Sequence, residues 1–522
     1  MSLDTTLPPL WVEGIFTDVL EIIRGISFPT EAKAFSPAPG LVACLRTTNV
    51  QRKVEWEDLW YVPEKYVRNP RQFVKLEDIL ISTANSLELV GKVAQVSNVR
   101  TMATIGTFIM LLRPNSNLNP RFMFHQLSSA EFQQKIRATA STTTNISNVS
   151  GQKLASLSVL IAPRQAQDRI VKEIEKQFTR LDAAVAALKR IQANLKRYRA
   201  AVLKAACEGR LVPMEAELAR REGRSYELAS VLLERILAER RAAWEADQIN
   251  KFRASGKPPR DEKWKAKYKM PDTPEKQPNC EVPEGWVLVN LGQLSWSVKD
   301  GPHYSPKYVE EGIPFVTGGQ VRPSGVDFAS AKRVSPKLHS ELLKRCKPEP
   351  GDILYTKGGT TGIARVNTYN FEFSVWVHVA VLKLVDSVEP FYIQHALNSP
   401  QCYAQARIFT HGVGNQDLGL TRMVRIAFLL PPVAEQKRVV AEVDRRLSVI
   451  DEIETQLAGD LQRAERLRQM ILKRAFEGKL VPQNSDDEPA SFLLERIRAE
   501  PAQSSVRRTE QRTAGSAGVT RG

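Results

Sequence analysis

Apolar residues recur at steps of three and four along two long stretches of the chain. In the first the stripe is Ile174, Phe178, Leu181, Val185, Leu188, Ile191, Leu195, Tyr198 and Val202; in the second it is Val443, Leu447, Ile450, Ile453, Leu457, Leu461, Ala464, Leu467 and Ile471. Arg, Lys, Glu and Gln fill the other faces, and the spacing predicts two amphipathic helices. Pro163 and Pro432 precede them, Gly209 and Gly478 suit a left-handed C-cap, and Pro213 and Pro482 forbid continuation. Each helix is then about 40 residues, or about 60 Å at 1.5 Å per residue. The stretches also repeat one another: 163–213 aligns without a gap to 432–482, pairing Pro163 with Pro432, Gln167 with Gln436, Arg169 with Arg438, Asp182 with Asp451, Lys204 with Lys473 and Gly209 with Gly478. A solitary helix of that length cannot bury its stripe, and two matching stripes in one chain are natural partners in a coiled coil. The predicted interface is Ile174, Phe178, Leu181, Val185, Leu188 and Leu195 against Val443, Leu447, Ile450, Leu457, Leu467 and Ile471. The other reading is that each stripe packs only onto its neighbouring globular domain.

The segments preceding the two helices correspond more loosely. Pro8, Trp11 and Val12 match Pro283, Trp286 and Val287; Asp78-Ile79-Leu80 matches Asp352-Ile353-Leu354; Val93 to Val96 matches Ile363 to Val366. Both are rich in short β-type runs (FVKLEDILIS, GKVAQV, GTFIMLL; GDILYT, GIARV, VWVHVAVLKLV), with a short helix predicted near 120–137 and near 390–408. The fold class is therefore α+β, two mixed α/β domains and two long helices in the order globular, helix, globular, helix. The boundaries are 1–160, 161–209, 210–280, 281–430 and 431–478, then a short helical element over 479–500 and a disordered tail over 501–522. The connection after the first helix holds a helical piece, ELASVLLERILAERRAAWEA, echoed by PASFLLERIRAE near 489–500. A Pro-punctuated basic stretch follows it, with Phe252, Trp264 and Tyr268, and reads as a solvated charged tether or as a DNA contact.

Composition narrows the function. Across 522 residues, 74 Lys plus Arg against 58 Asp plus Glu leave a formal charge of +16, which favours a polyanionic partner, nucleic acid ahead of an anionic membrane. Cys44, Cys207, Cys280, Cys346 and Cys402 are scattered singly, as expected of buried thiols in a reducing compartment. The six histidines show no ligand spacing, so no metal site is predicted, and no stretch is long and apolar enough to span a membrane. Each Pro-Pro (Pro8-Pro9, Pro258-Pro259, Pro431-Pro432) lacks the Asp or Asn and the aromatic of an amino-methylating site. Asp261-Glu262-Lys263 is an isolated D-x-K without the upstream Pro-Asp of a nuclease. KGGTTG lacks the Walker A order, because Lys357 precedes the glycines. No catalytic residue is predicted.

In order and duplication these motifs resemble the DNA sequence-specificity subunit of type I restriction-modification systems. The carriers are LPPVAEQKRVVAEV at 430–443, LKRAFEGKLVP at 472–482, their partners at 161–174 and 203–213, the domain starts VPEGWVLVNLGQL and LPPLWVEGIFTDVL, and GDILYTKGGTTGIARV at 351–366. The first half departs from the pattern, with IAPRQAQDRI and the glycine-free LEDILISTANSL. The resemblance implies a non-catalytic subunit, expected in the cytoplasm from its scattered thiols and lack of an apolar span, with two target-recognition domains, each reading one part of a split site. It also implies an antiparallel coiled coil, a pseudo-twofold internal repeat, that sets their separation and docks partners. Those partners are double-stranded DNA, two methyltransferase subunits and restriction/translocase subunits; S-adenosylmethionine, ATP and Mg belong to the subunits, and this chain binds no cofactor.

A pair of reading domains on such a rod predicts half-sites about one helical turn apart, roughly 34 Å or somewhat more. Because the domains differ far more than the helices, the target is expected to be asymmetric. Discrimination needs polar groups at base edges, while Lys and Arg on phosphates give salt-dependent affinity. The candidate loops are Arg46, Thr47, Thr48, Asn49 and Arg52, matched by Thr317, Gly318, Gly319, Gln320 and Arg322, together with Lys357, Thr360, Thr361 and Arg365. A plain strand-end turn or hairpin tip is the other reading of each. The competing functions are a coiled-coil interaction scaffold with incidental charge and a stand-alone nuclease.

Overall fold

The computed structural model describes residues 7–143, 146–256, 259, 261–275, 281–412 and 417–499. The tail expected over 501–522 and Cys280 lie outside them. The chain divides into two compact units, Met1–Leu188 with Ala458–Gly522, and Lys189–Leu457.

Both striped stretches are helices of 44 residues, Arg164–Cys207 and Val433–Phe476. They start alike: the amides of Gln167 and Gln436 donate to the carbonyls of Pro163 (2.9 Å) and Pro432 (3.0 Å). The same glutamines reach back with Nε2 to the carbonyls of Ala162 and Pro431, each at 2.8 Å, and both are fully buried. They end alike at Gly209 (φ +68°) and Gly478 (φ +70°), the left-handed positions that favour glycine. A Cβ at Gly478 would also lie 2.3 Å from Pro8.

Within the first unit the two helices run in opposite directions, because Asp182 pairs with Arg468 while Arg169, earlier in the first helix, pairs with Asp487 beyond the end of the second (Nη1 to Oδ1 3.0 Å). The Arg468 guanidinium lies 4.2 Å from the Phe178 ring centre. In the second unit Arg199 pairs with Asp451 and with Glu454 (3.2 Å), and Arg438 with Glu215 (2.7 Å), again antiparallel. Arg199 and Asp451 occupy the positions of Arg468 and Asp182 in the aligned stretches.

The stripes do two jobs. Ile450 and Leu457 are buried, and Leu181, Val185, Leu188 and Leu195 are half-buried along the rods. Towards the helix ends, the same stripes enter the globular cores. Ile174 and Leu472, with Phe178 and Ile471 at the edge, join Trp11, Phe122 and Val159 in the first unit; Val443, with Leu447, joins Tyr392, Leu430 and Val202 in the second. Leu467 departs from the expected seam and is 44% exposed. Its neighbour Arg468 takes the inward place over Phe178, and Ala464 and Leu472 are buried on that face instead.

In the first unit a four-stranded antiparallel sheet has the order Leu20–Arg24, Ile109–Pro114, Ile79–Ser82, Val93–Gln95. The second unit has Ser295–Asp300, Val379–Leu384, Ile353–Thr356, Ala364–Val366. Each unit adds a three-stranded sheet whose middle strand, Leu41–Leu45 or Ile313–Val316, is antiparallel to one neighbour and parallel to the other. Where one short helix was expected there are two, Pro120–Ser128 with Ala130–Thr139, and Pro390–Leu397 with Pro400–Phe409. Ser129 and Ser399 explain the break, since each accepts from an amide three residues on and caps a new helix.

The echoed LLERI elements dock in equivalent ways. The Ala490 amide donates to the Leu10 carbonyl in the first unit and the Ala229 amide to the Gly285 carbonyl in the second, both at 2.9 Å. The basic stretch is not a solvated tether over its described residues. Trp264 stacks on Trp244 of the helix Ala229–Ala254 and meets Phe252 edge-on, and the Tyr268 hydroxyl accepts from Arg240 at 2.7 Å. Four aromatic rings outweigh the hydration of a charged run and fold it back. Cys44, Cys207, Cys346 and Cys402 are buried, and burial pushes the Cys44 thiol up to about 12. Among the described residues no helix is long and apolar enough to cross a membrane, and no group of three His, Cys, Asp or Glu is placed to hold a metal ion.

Candidate nucleic-acid interface

The two loops matched in the sequence follow equivalent strands, Leu41–Leu45 and Ile313–Val316, but most of their polar groups are occupied. Asn49 is 2% exposed; its Oδ1 accepts from the Arg46 amide (3.0 Å) and its Nδ2 donates to the carbonyls of Glu55 (3.1 Å) and Glu57 (3.0 Å). The expected base contact is instead a loop closure, because a buried amide must satisfy its donors locally. Arg46 pairs with Asp58, donates to its carbonyl at 2.9 Å and lies 4.9 Å from the Trp60 ring centre. Thr47 is half-buried and Thr48 exposed. Arg52 is exposed and pairs with Glu465 of the second long helix.

In the second unit Gln320 Oε1 accepts from the amide (2.9 Å) and hydroxyl (2.6 Å) of Thr317, which closes a tight turn. Gly319 is exposed, and Arg322 pairs with Asp327 at 2.9 Å. Gly318 and Gly358 serve close packing: a Cβ at Gly318 would lie 3.0 Å from the Gly358 carbonyl, and one at Gly358 would lie 1.9 Å from His378 Nδ1. Lys357 also departs from expectation. It is 3% exposed, with Nζ 2.8 Å from Asp417 and 3.4 Å from Asp300, which also accepts from Arg345 (2.7 Å). Burial works against a charge on Asp300, but Arg345, Lys357 and His303 hold its carboxyl below the usual carboxylate range. A lysine bound to two carboxylates inside the domain does not reach a groove. Thr360 is exposed, the Thr361 hydroxyl is buried, and Arg365 donates to the Pro323 carbonyl at 3.1 Å.

A cavity of about 570 Å³ in the first unit lies between the loop at 51–53 and the paired helices, lined by Arg52, Lys92, His125, Asp182, Glu465 and Arg468 among others. Burial, and then the guanidinium groups of Arg121 and Arg468, push His125 down to about 3, so it is a neutral imidazole whose Nε2 has no hydrogen-bond partner. The unfolded chain binds a proton there below the ordinary imidazole value of 6.5, and the folded chain refuses it down to about 3. Stability is therefore complete above pH 6.5 and falls by about 1.4 kcal/mol for each pH unit below it. Urea unfolding between pH 6.5 and about 5 is expected to show that slope in the parent and a shallower one in His125→Phe; equal slopes would count against it.

The sequence reading missed one surface. In the first unit Ser141–Thr143 and Ile146–Asn148 pair antiparallel, and the second of these pairs with Ala84–Asn85, just beyond the inner strand Ile79–Ser82. In the second unit Gly358 bridges Asp417, which bridges His411, again just beyond the inner strand Ile353–Thr356. The available signal was the run STTTNISN, neutral hydrogen-bonding residues in the same chain position as HGVGNQDL.

Residues 283–463 match the family described as the type I restriction modification DNA specificity domain. The chain is 24% identical over 525 residues to the type I restriction enzyme EcoKI specificity subunit of Escherichia coli strain K12, covering 97% of this chain and 98% of that relative. It is likewise 24% identical over 532 residues to the StySPI specificity subunit of Salmonella potsdam, covering 97% and 99%. A solved structure described as the basis of complex assembly and conformational transition of the type I R-M system superposes with a TM-score of 0.56 at 18% identity, over 91% of this chain and 100% of that one, a likeness of fold. Residues 283–463 thus carry the match to that specificity domain, and over almost its whole length the chain is similar to type I restriction-modification specificity subunits.

Proposed function

We propose that this chain is the DNA-recognition subunit of a type I restriction-modification complex. Each unit supplies one target-recognition domain, and together they read a bipartite, asymmetric duplex site. The two long helices pair as an antiparallel coiled coil with pseudo-twofold repetition and dock two methyltransferase subunits and the restriction/translocase subunits. The chain is not itself an enzyme; S-adenosylmethionine, ATP and Mg act on the partners, in the cytoplasm. The observation that carries this reading is one frame dressed with two chemistries. Helix caps, inter-helix ion pairs and sheet orders recur between the units, whereas the loops do not: Asn49 and Arg46 close one, Gln320 and Thr317 the other. A formal charge of +16 adds sequence-independent attraction to phosphates. Thr48, Arg52, Gly319, Arg322 and Thr360 are the exposed loop members, and the two arginines would exchange Glu465 and Asp327 for phosphate. Footprinting the chain with its methyltransferase subunits should protect one split, asymmetric sequence. Uniform footprints on random DNA would leave an interaction scaffold as the function.

A further inference from the structure

In both units the inner strand of the four-stranded sheet leaves the core and is met at its end by a segment that follows the helix pair. The first unit's version is firmly mounted. Asn85 faces Ser147 and Ala84 faces Asn148 in register, the hydroxyls of Thr142 and Ser147 are 2.9 Å apart, and the Val149 amide donates to the Thr83 carbonyl at 2.9 Å. Lys153 fixes the base, donating to the Thr139 carbonyl (2.6 Å) and to Ser141 Oγ (2.7 Å). Ser141, Thr142, Thr143 and Asn148 are exposed and uncharged, and Asn85 is half-buried. On the corresponding frame the second unit carries His411, Asp417 and the buried Lys357.

We propose that this three-segment platform, Ala84–Asn85 with Ser141–Thr143 and Ile146–Asn148 in the first unit and its counterpart at Gly358, His411 and Asp417 in the second, is the surface that distinguishes base edges of duplex DNA. The inference rests on the recognition function just stated. Discrimination needs hydrogen-bonding groups held rigidly with capacity to spare. Each hydroxyl here is fixed by one bond, Thr143 by donating to the Ile146 carbonyl at 3.3 Å, and keeps acceptor positions, while Asn85 Oδ1 accepts from the Ser86 amide at 2.9 Å and leaves its Nδ2 hydrogens. Amides match adenine, Ser and Thr hydroxyls match donors or acceptors, and the Thr methyl matches the thymine methyl. A two-stranded ribbon is also narrow enough to enter a major groove. The loops at 46–52 and 317–322 fit less well, because Asn49, Thr317 and Gln320 are already bonded within them. Different side chains on a shared frame also give the two half-sites different sequences.

The test uses the full chain assembled with its methyltransferase subunits and a random-sequence duplex pool from which bound molecules are sequenced. Asn85→Ala and Thr143→Val should each relax base preference about tenfold at one or two positions of a single half-site and leave the other unchanged. Variants selecting the parental site with parental stringency, or weakened equally on every sequence, would overturn the assignment. If Asn85→Ala melts early, the isosteric Asn85→Asp decides: it must shift the preferred base at one position, and an unshifted preference counts against the platform. A parent chain that selects no sequence would instead refute the recognition function, before any variant is made.

Discussion

A chain ended at Pro482 is expected to lose most of the stability of its first unit while the second melts as before. The helix Ala490–Ala499 places Ala490, Leu493, Leu494 and Ile497 in the first unit's core beside Trp11, Phe122 and Ile161. Deleting a large aliphatic side chain from a packed core costs about 2–5 kcal/mol, and the cut removes three of them together from one side of the first unit's core. The cut also removes Asp487, the buried partner of Arg169, and Arg498, which pairs with Asp18 at 2.8 Å. A domain holds only about 5–15 kcal/mol in total, so the loss is a large share. The buried Trp11 makes the first unit's unfolding visible by fluorescence. A first transition within a few degrees of the parent's would show that the docked helix is dispensable.

Lys357→Met is expected to destabilise the second unit by about 3 kcal/mol, since removing one partner of a buried ion pair strands the other. Asp300, itself 2% exposed, keeps Arg345, and Asp417 is partly open, which puts the loss at the low end of the range for such pairs. A cycle with Asp417→Ala should give a coupling of about 1 kcal/mol or more. If Lys357 were a free contact to DNA, the same substitution would leave the melting temperature alone and lower only affinity. Unchanged melting with weakened binding would therefore restore the groove-reaching role that the sequence suggests.

What was readable in the sequence follows from where the physics is local. The long helices were legible because periodicity, proline, glycine and a gapless repeat all report on neighbours within a few residues, and the strands Ile79–Ser82 and Ile353–Thr356 were legible as apolar runs. The inward shift from Leu467 to Arg468 was not, because it depends on the Phe178 ring across the pair. The roles of Asn49 and Lys357 were hidden for the same reason: an amide or ammonium in a loop looks available until Glu55, Glu57, Asp300 and Asp417 are placed around it. The Ser141–Asn148 ribbon lacks the apolar alternation that announces a strand; it is ordered by Asn85 and Lys153, distant or unmatched in the chain.

The first unit is built from two pieces of chain separated by the whole of the second. On the ribosome Lys189–Leu457 can therefore mature while the amino-terminal domain still waits for Leu472, Phe476 and Leu493 to emerge. For that interval Trp11, Phe122 and Ile174 have no complete cover, a vulnerable nascent state that favours chaperone capture over early compaction. The portion synthesised first is thus the last to be finished.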